Sequence, residues 1–534
     1  MDFSLNDDRR MLQETLTRFL RDNYDFATRQ EIAASDAGVS AELWRRFAEL
    51  GVIGALLPEE VGGFGGAGED LLVVMQQLGR HLVVEPFLST AVLAGSLLTA
   101  FGDDKQKALL DQVIAGDLLL AFAHGEPDGR YDLSSVATTA QKTDQGWILQ
   151  GRKAVVLGGD RADKLIVSAR TSGAPDGQDG ISLFLLDALT SGVTRRGYPT
   201  IDGWRAAELT LDGVLLGPEA LLGEEGVAYP VIELATSRGI LALCAEAVGV
   251  METARDLTLE YLRTRQQFGQ PLGKFQALQH RMAELLIEIE QARSITQRAA
   301  GYLGESRAQR ERTISAAKNL IGRVGRLVAE ETIQLHGGIA MTWEYALPHF
   351  AKRLTMIDHL LGDTDHHLER FIAEESWRDH TRLSNGAAVE RLIETTAGVQ
   401  ETFGYLVKVG AEECEIVMTV AGRHLNIADN LHGGVVCTLL DAACSYACVR
   451  HADPRMAVPV VTPSLTTQFV GTVQQGRLLT RARVLGGGRK TLFAEGEIYS
   501  QDGRLLAKAN GNWKLLQRRT ESDGDGTARA RSLG

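Results

Sequence analysis

The period of the hydrophobic pattern changes three times along this chain, and each change sets a layer of the fold. From about residue 6 to 125, apolar residues recur at helical spacing, as in ELWRRFAELGVIGALLPEEVGG and EDLLVVMQQLGRHLVVEPFL. From about 118 to 230 the pattern shortens to GWILQGRKAVVLG, KLIVSAR, ISLFLLD and AAELTLDGVLL, bounded by Gly and Asp. These runs predict a small antiparallel β domain. Residues 231–380 return to long helices, predicted over Ser237–Thr264, Lys274–Gly301 and Thr313–Gly337. TRLSNGAAVE then reads as a linker. Beyond it come a strand, ECEIVMTVAG, and one almost wholly apolar helix, NIADNLHGGVVCTLLDAACSYACVRH. Four further strands follow: VVTPSLTTQFVGT, RLLTRARVLGGG, TLFAEGEIYS and LLAKANGNWKLL. One apolar helix among antiparallel strands predicts a helix wrapped by a curved sheet.

The expected organisation is multidomain α+β: a helical domain over 1–117, a β domain over 118–230 and a helical bundle over 231–380. A linker spans 381–394, an α+β domain 395–516 and a disordered tail 517–534. The 534 residues exceed one ordinary domain, and the net charge of −13 argues against a nucleic-acid partner. Five cysteines without a CxxC pair read as buried thiols in a reducing cytoplasm. MDFSLNDDRR is no signal peptide, and without ~20 uninterrupted apolar residues no membrane partner is expected. Gly63, Gly65 and Gly68 spell GxGxxG, but helices precede them and no βαβ unit follows, so an inter-helix loop is expected. GGGRKT at Gly486 lacks Walker spacing and reads as a turn. His366 and His367 are adjacent on a helix and point about 100° apart, so no metal is expected there.

The stretch YLRTRQQFGQPLGKFQALQHRMAEL, Tyr261 to Leu285, is a helix end, a turn and a helix start, broken by Gly269, Pro271 and Gly273. By punctuation alone it is a helix hairpin with a basic surface. Its residue order resembles the R-x-QFG…Q segment of the acyl-CoA dehydrogenase family, with Arg265, Gln267, Phe268 and Gln276 in the matching positions. Gln334, Gly337 and Gly338 likewise match that family's Q-x-x-GG, although LHGG alone would read as a helix C-cap. The resemblance covers roughly residues 5–380. It implies an acyl-CoA substrate, dehydrogenation at Cα–Cβ, and FAD reached by these residues across a subunit interface, with Thr364 also at the cofactor. It also implies electron-transfer flavoprotein as acceptor, and a homo- or hetero-oligomer with another such subunit. The match weakens in the β domain. HGEPDGRYD, from His124 to Asp132, replaces the EP-x-x-GSD segment, and Val155 and Leu157 stand where W-x-T would supply an aromatic wall and a hydroxyl donor.

In that family a water-shielded carboxylate removes the α proton. The two positions where family members carry it fall on Gly362 and near Gly239. Three readings stay open. Glu246 is the only charge in GILALCAEAVGVM, and a buried lone carboxylate invites a reason. Asp363 lies one residue past the usual site. In the third reading there is no base, and this chain is the lesser subunit of a heteromeric dehydrogenase.

In the C-terminal part, Gly433 and Gly434 open the apolar helix, whose first N–H groups can hold a thioester oxygen as it gains charge. Asp441 follows eight residues later in a stripe with Cys437, Cys444 and Cys448, placed to act as nucleophile or general base. The segment resembles a hotdog-fold thioesterase of the phenylacetate-pathway type, which adds Asn426, His432 and Thr462 as polar groups around the thioester and the water. Eight residues span about 12 Å of helix, so the site is expected to pair Gly433 of one subunit with Asp441 of another. The whole implies a bifunctional acyl-CoA enzyme. The alternatives are a dehydrogenase-like subunit whose only independent activity is the thioesterase, and a hotdog module that only binds acyl-CoA.

Overall fold

The computed structural model describes residues 5–373, 391–393, 398–410, 413–453, 458–488 and 490–515. The predicted tail and the stretch 381–390 lie outside these residues. The chain divides into two compact units, Met1–Glu375 and Ser376–Gly534.

The first unit opens with helices Asp7–Asn23, Phe26–Ala34 and Ala41–Glu49. Each starts on a polar cap: Asn6, Asp25 and Ser40 accept from backbone N–H groups of the first turn. The formal GxGxxG is an inter-helix loop that leads into the Gly68–Arg80 helix. The unit's axis is the 36-residue helix Tyr229–Thr264, long and apolar enough to cross a bilayer by composition, yet buried inside this unit. It crosses Gly68–Arg80 backbone to backbone. A Cβ on Gly79 would overlap the Glu246 carbonyl, and one on Gly249 would overlap the Gln76 carbonyl. Only glycine permits that approach, which is why AEAVGV is built of small residues around its one charge. Helices Gln276–Gly301, Arg307–His336 and Leu347–His359 complete the bundle, and Thr364–Ala373 follows.

Between these helical layers lies an eight-stranded sheet. Its order is Val193–Pro199, Arg205–Leu216, Gly146–Leu157, Thr139–Thr143, Lys164–Arg170, Ile181–Asp187 and Leu221–Leu222, with Leu120–Ala123 also paired to Lys164–Arg170. The expectation of a wholly antiparallel domain is corrected here. Leu120–Ala123 pairs in parallel with Lys164–Arg170 over four residues, and Thr139 pairs in parallel with Arg170.

In the second unit a seven-stranded antiparallel sheet curves around the helix Gly433–Ala452. The strand order is Arg391–Ile393, Leu406–Val409, Glu413–Thr419, Arg477–Gly487, Thr491–Tyr499, Leu505–Leu515 and Val460–Phe469, so Val460–Phe469 is a sheet edge. Val435, Val436, Leu439, Leu440, Ala443, Cys444, Ala447 and Cys448 form the helix's buried stripe. Trp513 is fully buried beneath it, and its Nε1 donates to Ser445 Oγ at 2.9 Å. Two boundaries are corrected. Residues 391–393, predicted as linker, are a strand paired with Leu406–Val409. The apolar helix begins at Gly433, where the two glycines were expected to open it, and the run drawn from Asn426 is too long, because the Asn426 side chain accepts from the N–H groups of Ala428 and Asn430 and holds a turn.

Candidate functional site

In the first unit, Tyr261 stacks on His336 with ring centroids 4.5 Å apart. The ends of two long helices therefore lie side by side, one carrying Arg265 and the other Gln334, Gly337 and Gly338. A two-rung hairpin, Gln266–Gln267 against Gln270–Pro271, presents Phe268 at its tip, 90% exposed and at φ 53°. Phe268 stands edge-on to Phe275, 6.1 Å away. Among the described residues the exposed Arg265 guanidinium has neither hydrogen-bond nor ion-pair partner, and Gln276 and Gln334 are exposed as well. Nothing lies within 4 Å of a Cβ built on Gly337 or Gly338. Met341 and Trp343 just beyond are 76% and 62% exposed. A cation fork, an unpacked ring and open glycine backbone fit a pyrophosphate-bearing flavin nucleotide presented from outside this chain. Gln267 Nε2 donates to its neighbour's carbonyl, Gln266 O, at 2.8 Å. The Thr364 hydroxyl donates to Asp358 Oδ1 at 2.8 Å and keeps its lone pairs as acceptors.

The same unit holds a cavity of about 410 Å³ between the sheet and the bundle. Phe122, His124, Tyr131, His366 and Leu361 line it, together with Val155, Val156 and Leu157 where the resemblance places the flavin wall. Val155 sits at φ 51°, a conformation in which a β-branched residue stores about 1–3 kcal/mol of strain. Neither Val155 nor Leu157 offers a ring or a hydroxyl. The chain's own groove thus fits a flavin less well than its outer edge does.

Neither proposed base stands in this cavity. Glu246 is corrected first. Both its oxygens are held by Arg353, Oε1 to Nε at 2.6 Å and Oε2 to Nη2 at 2.7 Å, and Arg353 Nη1 holds Asp202 at 2.6 Å. Arg353 also lies 3.6 Å above the Trp204 ring. Burial pushes the Glu246 carboxyl up, and the guanidinium works against it. A carboxylate chelated in this way ties strands to helices and has no free oxygen for a substrate proton. Asp363 is corrected next: its Oδ1 accepts from the His366 N–H at 2.8 Å, so it caps the Thr364–Ala373 helix.

The family's two base positions are also closed. Gly362 lies at φ 108°, and a Cβ there would overlap His367 Nε2 and lie 2.6 Å from His366 Cδ2. His367 is buried and fixed by Leu361 O at 2.9 Å and Ser315 Oγ at 3.3 Å. The loop cannot retreat, because the buried Lys318 Nζ grips Asp358 O at 2.8 Å and Gly362 O at 2.6 Å. Burial pushes that ammonium down to about 8. At Gly239 a Cβ would lie 2.6 Å from Leu93 Cδ2 and 2.8 Å from Leu361 Cδ1. Among the described residues no three or more His, Cys, Asp or Glu cluster so as to hold a metal ion.

In the second unit, Thr462 Oγ1 donates to Asp441 Oδ1 at 2.8 Å. The edge strand Val460–Phe469 runs beside the helix. Thr467 Oγ1 lies 3.7 Å from Cys437 Sγ, and the Phe469 ring would lie 3.5 Å from a Cβ on Gly433. His432 caps the helix, its Nδ1 accepting from the Gly434 N–H at 2.9 Å. That leaves the Gly433 N–H as the donor available at this end. Asn426 belongs to its own turn and does not reach Asp441 within one chain. Asp441, Thr462 and the Gly433 end are therefore brought onto one edge, while Asn426 and His432 shape the entrance to the helix. Sequence reasoning missed Phe469, which gave no signal beyond being apolar in a strand.

Residues 6–117, 121–214 and 224–375 match the N-terminal, middle and C-terminal domains of acyl-CoA dehydrogenase, and residues 428–507 match the thioesterase superfamily. The chain is 30% identical over 359 residues to the short-chain-specific acyl-CoA dehydrogenase of Megasphaera elsdenii, spanning 65% of this chain and 92% of that one. Its fold is similar to the ChsE4-ChsE5 complex from Mycobacterium tuberculosis, at a TM-score of 0.64 and 25% identity over 70% of this chain and 98% of that one. It is also similar to the FAD complex of PigA, at a TM-score of 0.65 and 26% identity over 70% and 99% of the two chains. The chain belongs to the acyl-CoA dehydrogenase family, whose members use FAD. It carries a thioesterase-superfamily domain with the hotdog arrangement on the same polypeptide, and it is an enzyme of acyl-CoA chemistry.

Proposed function

We propose that this chain hydrolyses acyl-CoA thioesters with its C-terminal domain and dehydrogenates only as part of a heteromer. Arg265, Phe268, Gln276, Gln334 and the Gly337–Gly338 backbone would complete a FAD site held chiefly by a second dehydrogenase subunit. That subunit's carboxylate would take the α proton, and electron-transfer flavoprotein would accept the electrons. The observation that carries this reading is the closure of position 362 by two histidines, one of them locked on both ring nitrogens. The ChsE4-ChsE5 complex, a two-component neighbour of the same fold, supports it.

In the hotdog domain, Asp441 would activate water or attack the thioester carbon directly. The Gly433 N–H would hold the carbonyl oxygen as it gains charge, and Thr462 would fix the orientation of the carboxylate. Coenzyme A leaves as the thiol, and the acyl group leaves as the carboxylic acid. Gly433 and Asp441 sit at positions eight residues apart on one helix, so two hotdog domains would pair, each lending its helix entrance to the other's carboxylate. The exposed edge strand that carries Thr462 and Phe469 supports pairing there.

The reading is tested by purifying the chain from its native host and measuring flavin and partner together. A second dehydrogenase chain with FAD bound per heteromer is expected. A homo-oligomer that carries one FAD per chain and is reduced by acyl-CoA contradicts it.

A further inference from the structure

The helix Gly433–Ala452 does not bury its whole circumference. Gly433, Cys437 and Asp441 recur every four residues and share one face. That face is half-buried, while Val436, Leu440, Cys444 and Cys448 sink into the core. The edge strand Val460–Phe469 meets the face at three levels. Thr462 Oγ1 donates to Asp441 Oδ1 at 2.8 Å, the Cys437 thiol donates to Thr467 Oγ1 at 3.7 Å, and the Phe469 ring stands 3.5 Å from a Cβ built on Gly433. Helix and edge strand thus form a seam with the carboxylate at one end and the Gly433 N–H at the other. Cys437 lies between them, one turn or about 6 Å along the axis from each. Between Gly433 and Asp441, and between Thr462 and Phe469, no side chain but Asp441 is charged. Thr438 turns its hydroxyl back to Gly434 O at 2.8 Å.

The pairing of Gly433 of one protomer with Asp441 of its partner, on which this inference rests, is that of the function proposed above. A two-fold axis that exchanges positions 433 and 441 passes at their midpoint, position 437. The Cys437 side chains of the two protomers therefore come together on the axis and divide the space between the two thioester sites. Each site has about 6 Å of helix between its reacting carbon and this divide. The other end of the site is open. His432 is exposed there, and beyond it Ile427 stands fully in water on the turn that Asn426 holds. Coenzyme A carries a charged nucleotide that stays in water, so it extends through the open end, and the acyl group points at the axis.

We propose that Cys437 is the specificity-determining residue of the thioesterase site, closing its acyl end at the two-fold axis so that the site takes short, uncharged acyl groups. It acts by bulk. No bond to the Cys437 sulfur forms in the reaction, and Gly433 and Asp441 keep the roles given to them above. The neutral seam leaves a charge at the far end of an acyl group without a counter-charge, so acyl groups that end in a carboxylate are refused.

The test measures release of coenzyme A thiol by the full chain from saturated acyl-CoAs, acetyl to dodecanoyl, and reads kcat/KM against chain length. In wild type, kcat/KM is expected to rise up to about fourfold for each methylene that finds room, and to fall about tenfold once the chain reaches the axis. Cys437→Ala takes both sulfurs from the axis and should move the optimum to a longer chain. Cys437→Leu should move it to a shorter one. Cys437→Ser nearly keeps the volume and should keep the optimum. A residue that only supported the fold would lower every substrate alike and move no optimum. Cys437→Ala adds no bulk to the pairing face, so it decides the matter where Cys437→Leu fails to pair. Asp441-dependent hydrolysis with the same optimum in wild type and Cys437→Ala, or with a wild-type optimum at the longest chains, overturns the proposal and leaves the function proposed above standing. A Cys437→Ser chain that hydrolyses nothing shows a thiol reaction and overturns it too. Thiol release that is absent with every acyl-CoA, or that persists in Asp441→Ala, overturns both.

Discussion

Glu246 and Arg353 meet through two parallel hydrogen bonds of 2.6 and 2.7 Å in the core of the first unit, 107 residues apart in sequence. The third arm of the guanidinium reaches Asp202 in the loop before the Arg205–Leu216 strand. The pair joins the central helix, the bundle helix Leu347–His359 and the β layer at one point. It is an interlayer clamp, and removing one partner leaves the other's charge buried with reduced compensation.

Glu246→Gln is accordingly a stability variant. Leaving Arg353 buried with Asp202 alone costs about 3–5 kcal/mol. Thermal unfolding should show the transition of the first unit lowered, with thioester hydrolysis unaltered at temperatures where that unit is still folded. An unshifted transition would sink the clamp.

Acid should weaken the first unit through its buried histidines. His124 titrates at about 3 when folded and near 6.5 when unfolded, and burial and Lys318 hold His367 well below its ordinary value. Below pH 6.5 the unfolded chain takes up protons that the folded one refuses. Stability is therefore full above pH 6.5 and falls as pH drops toward 3, by about 1.4 kcal/mol per pH unit for each such histidine. Denaturant midpoints at pH 7 and pH 5 measure it, and His124→Phe should remove one histidine's share of the slope. A variant with the wild-type slope contradicts the assignment.

Restoring the family's carboxylate at position 362 should not restore a base. A side chain there overlaps the pinned His367 and must adopt φ 108°, at a cost of about 1–3 kcal/mol for the backbone alone. Gly362→Glu is expected to lower the melting temperature of the first unit, and acyl-CoA should still fail to bleach flavin in the chain by itself. Bleaching gained by this single change would show that the loop is free to move.

The hotdog site is expected to complement between chains. Gly433→Pro lacks the N–H at a helix position where proline is tolerated, and Asp441→Ala lacks the carboxylate. Each alone should be inactive as a thioesterase. Mixed dimers should regain one intact site of two, about half of normal activity per dimer, since a closed two-fold pair holds two equivalent sites. Verified mixed dimers without activity would place the whole site within one chain.

What the sequence disclosed follows from how far each signal reaches along the chain. The long helices were legible because their apolar stripes persist over many turns. Val193–Pro199 and Thr139–Thr143 were missed because VTRRGYP and TAQKT bury almost nothing and carry no alternation. The parallel pairing of Leu120–Ala123 depends on a partner some forty residues away and has no local mark. The helix start was legible at Gly433 and Gly434, while the apolar run drawn from Asn426 overreached it, because one Asn426 side-chain oxygen makes a turn there. Asp441 was legible as a carboxylate in an apolar helix and Thr462 only through the thioesterase resemblance, and the two side chains meet. Glu246 was legible as an anomaly, but its partner Arg353 lies in another helix, so the sequence could flag the charge without telling clamp from base.

The most direct measurement mixes the purified chain, supplied with FAD, with one acyl-CoA under anaerobic conditions and reads two signals at once: release of coenzyme A thiol and loss of flavin absorbance. Thiol release that Asp441→Ala abolishes, with the flavin spectrum unbleached until a second dehydrogenase subunit is added, is the predicted result. Flavin bleaching by the chain alone would contradict the account.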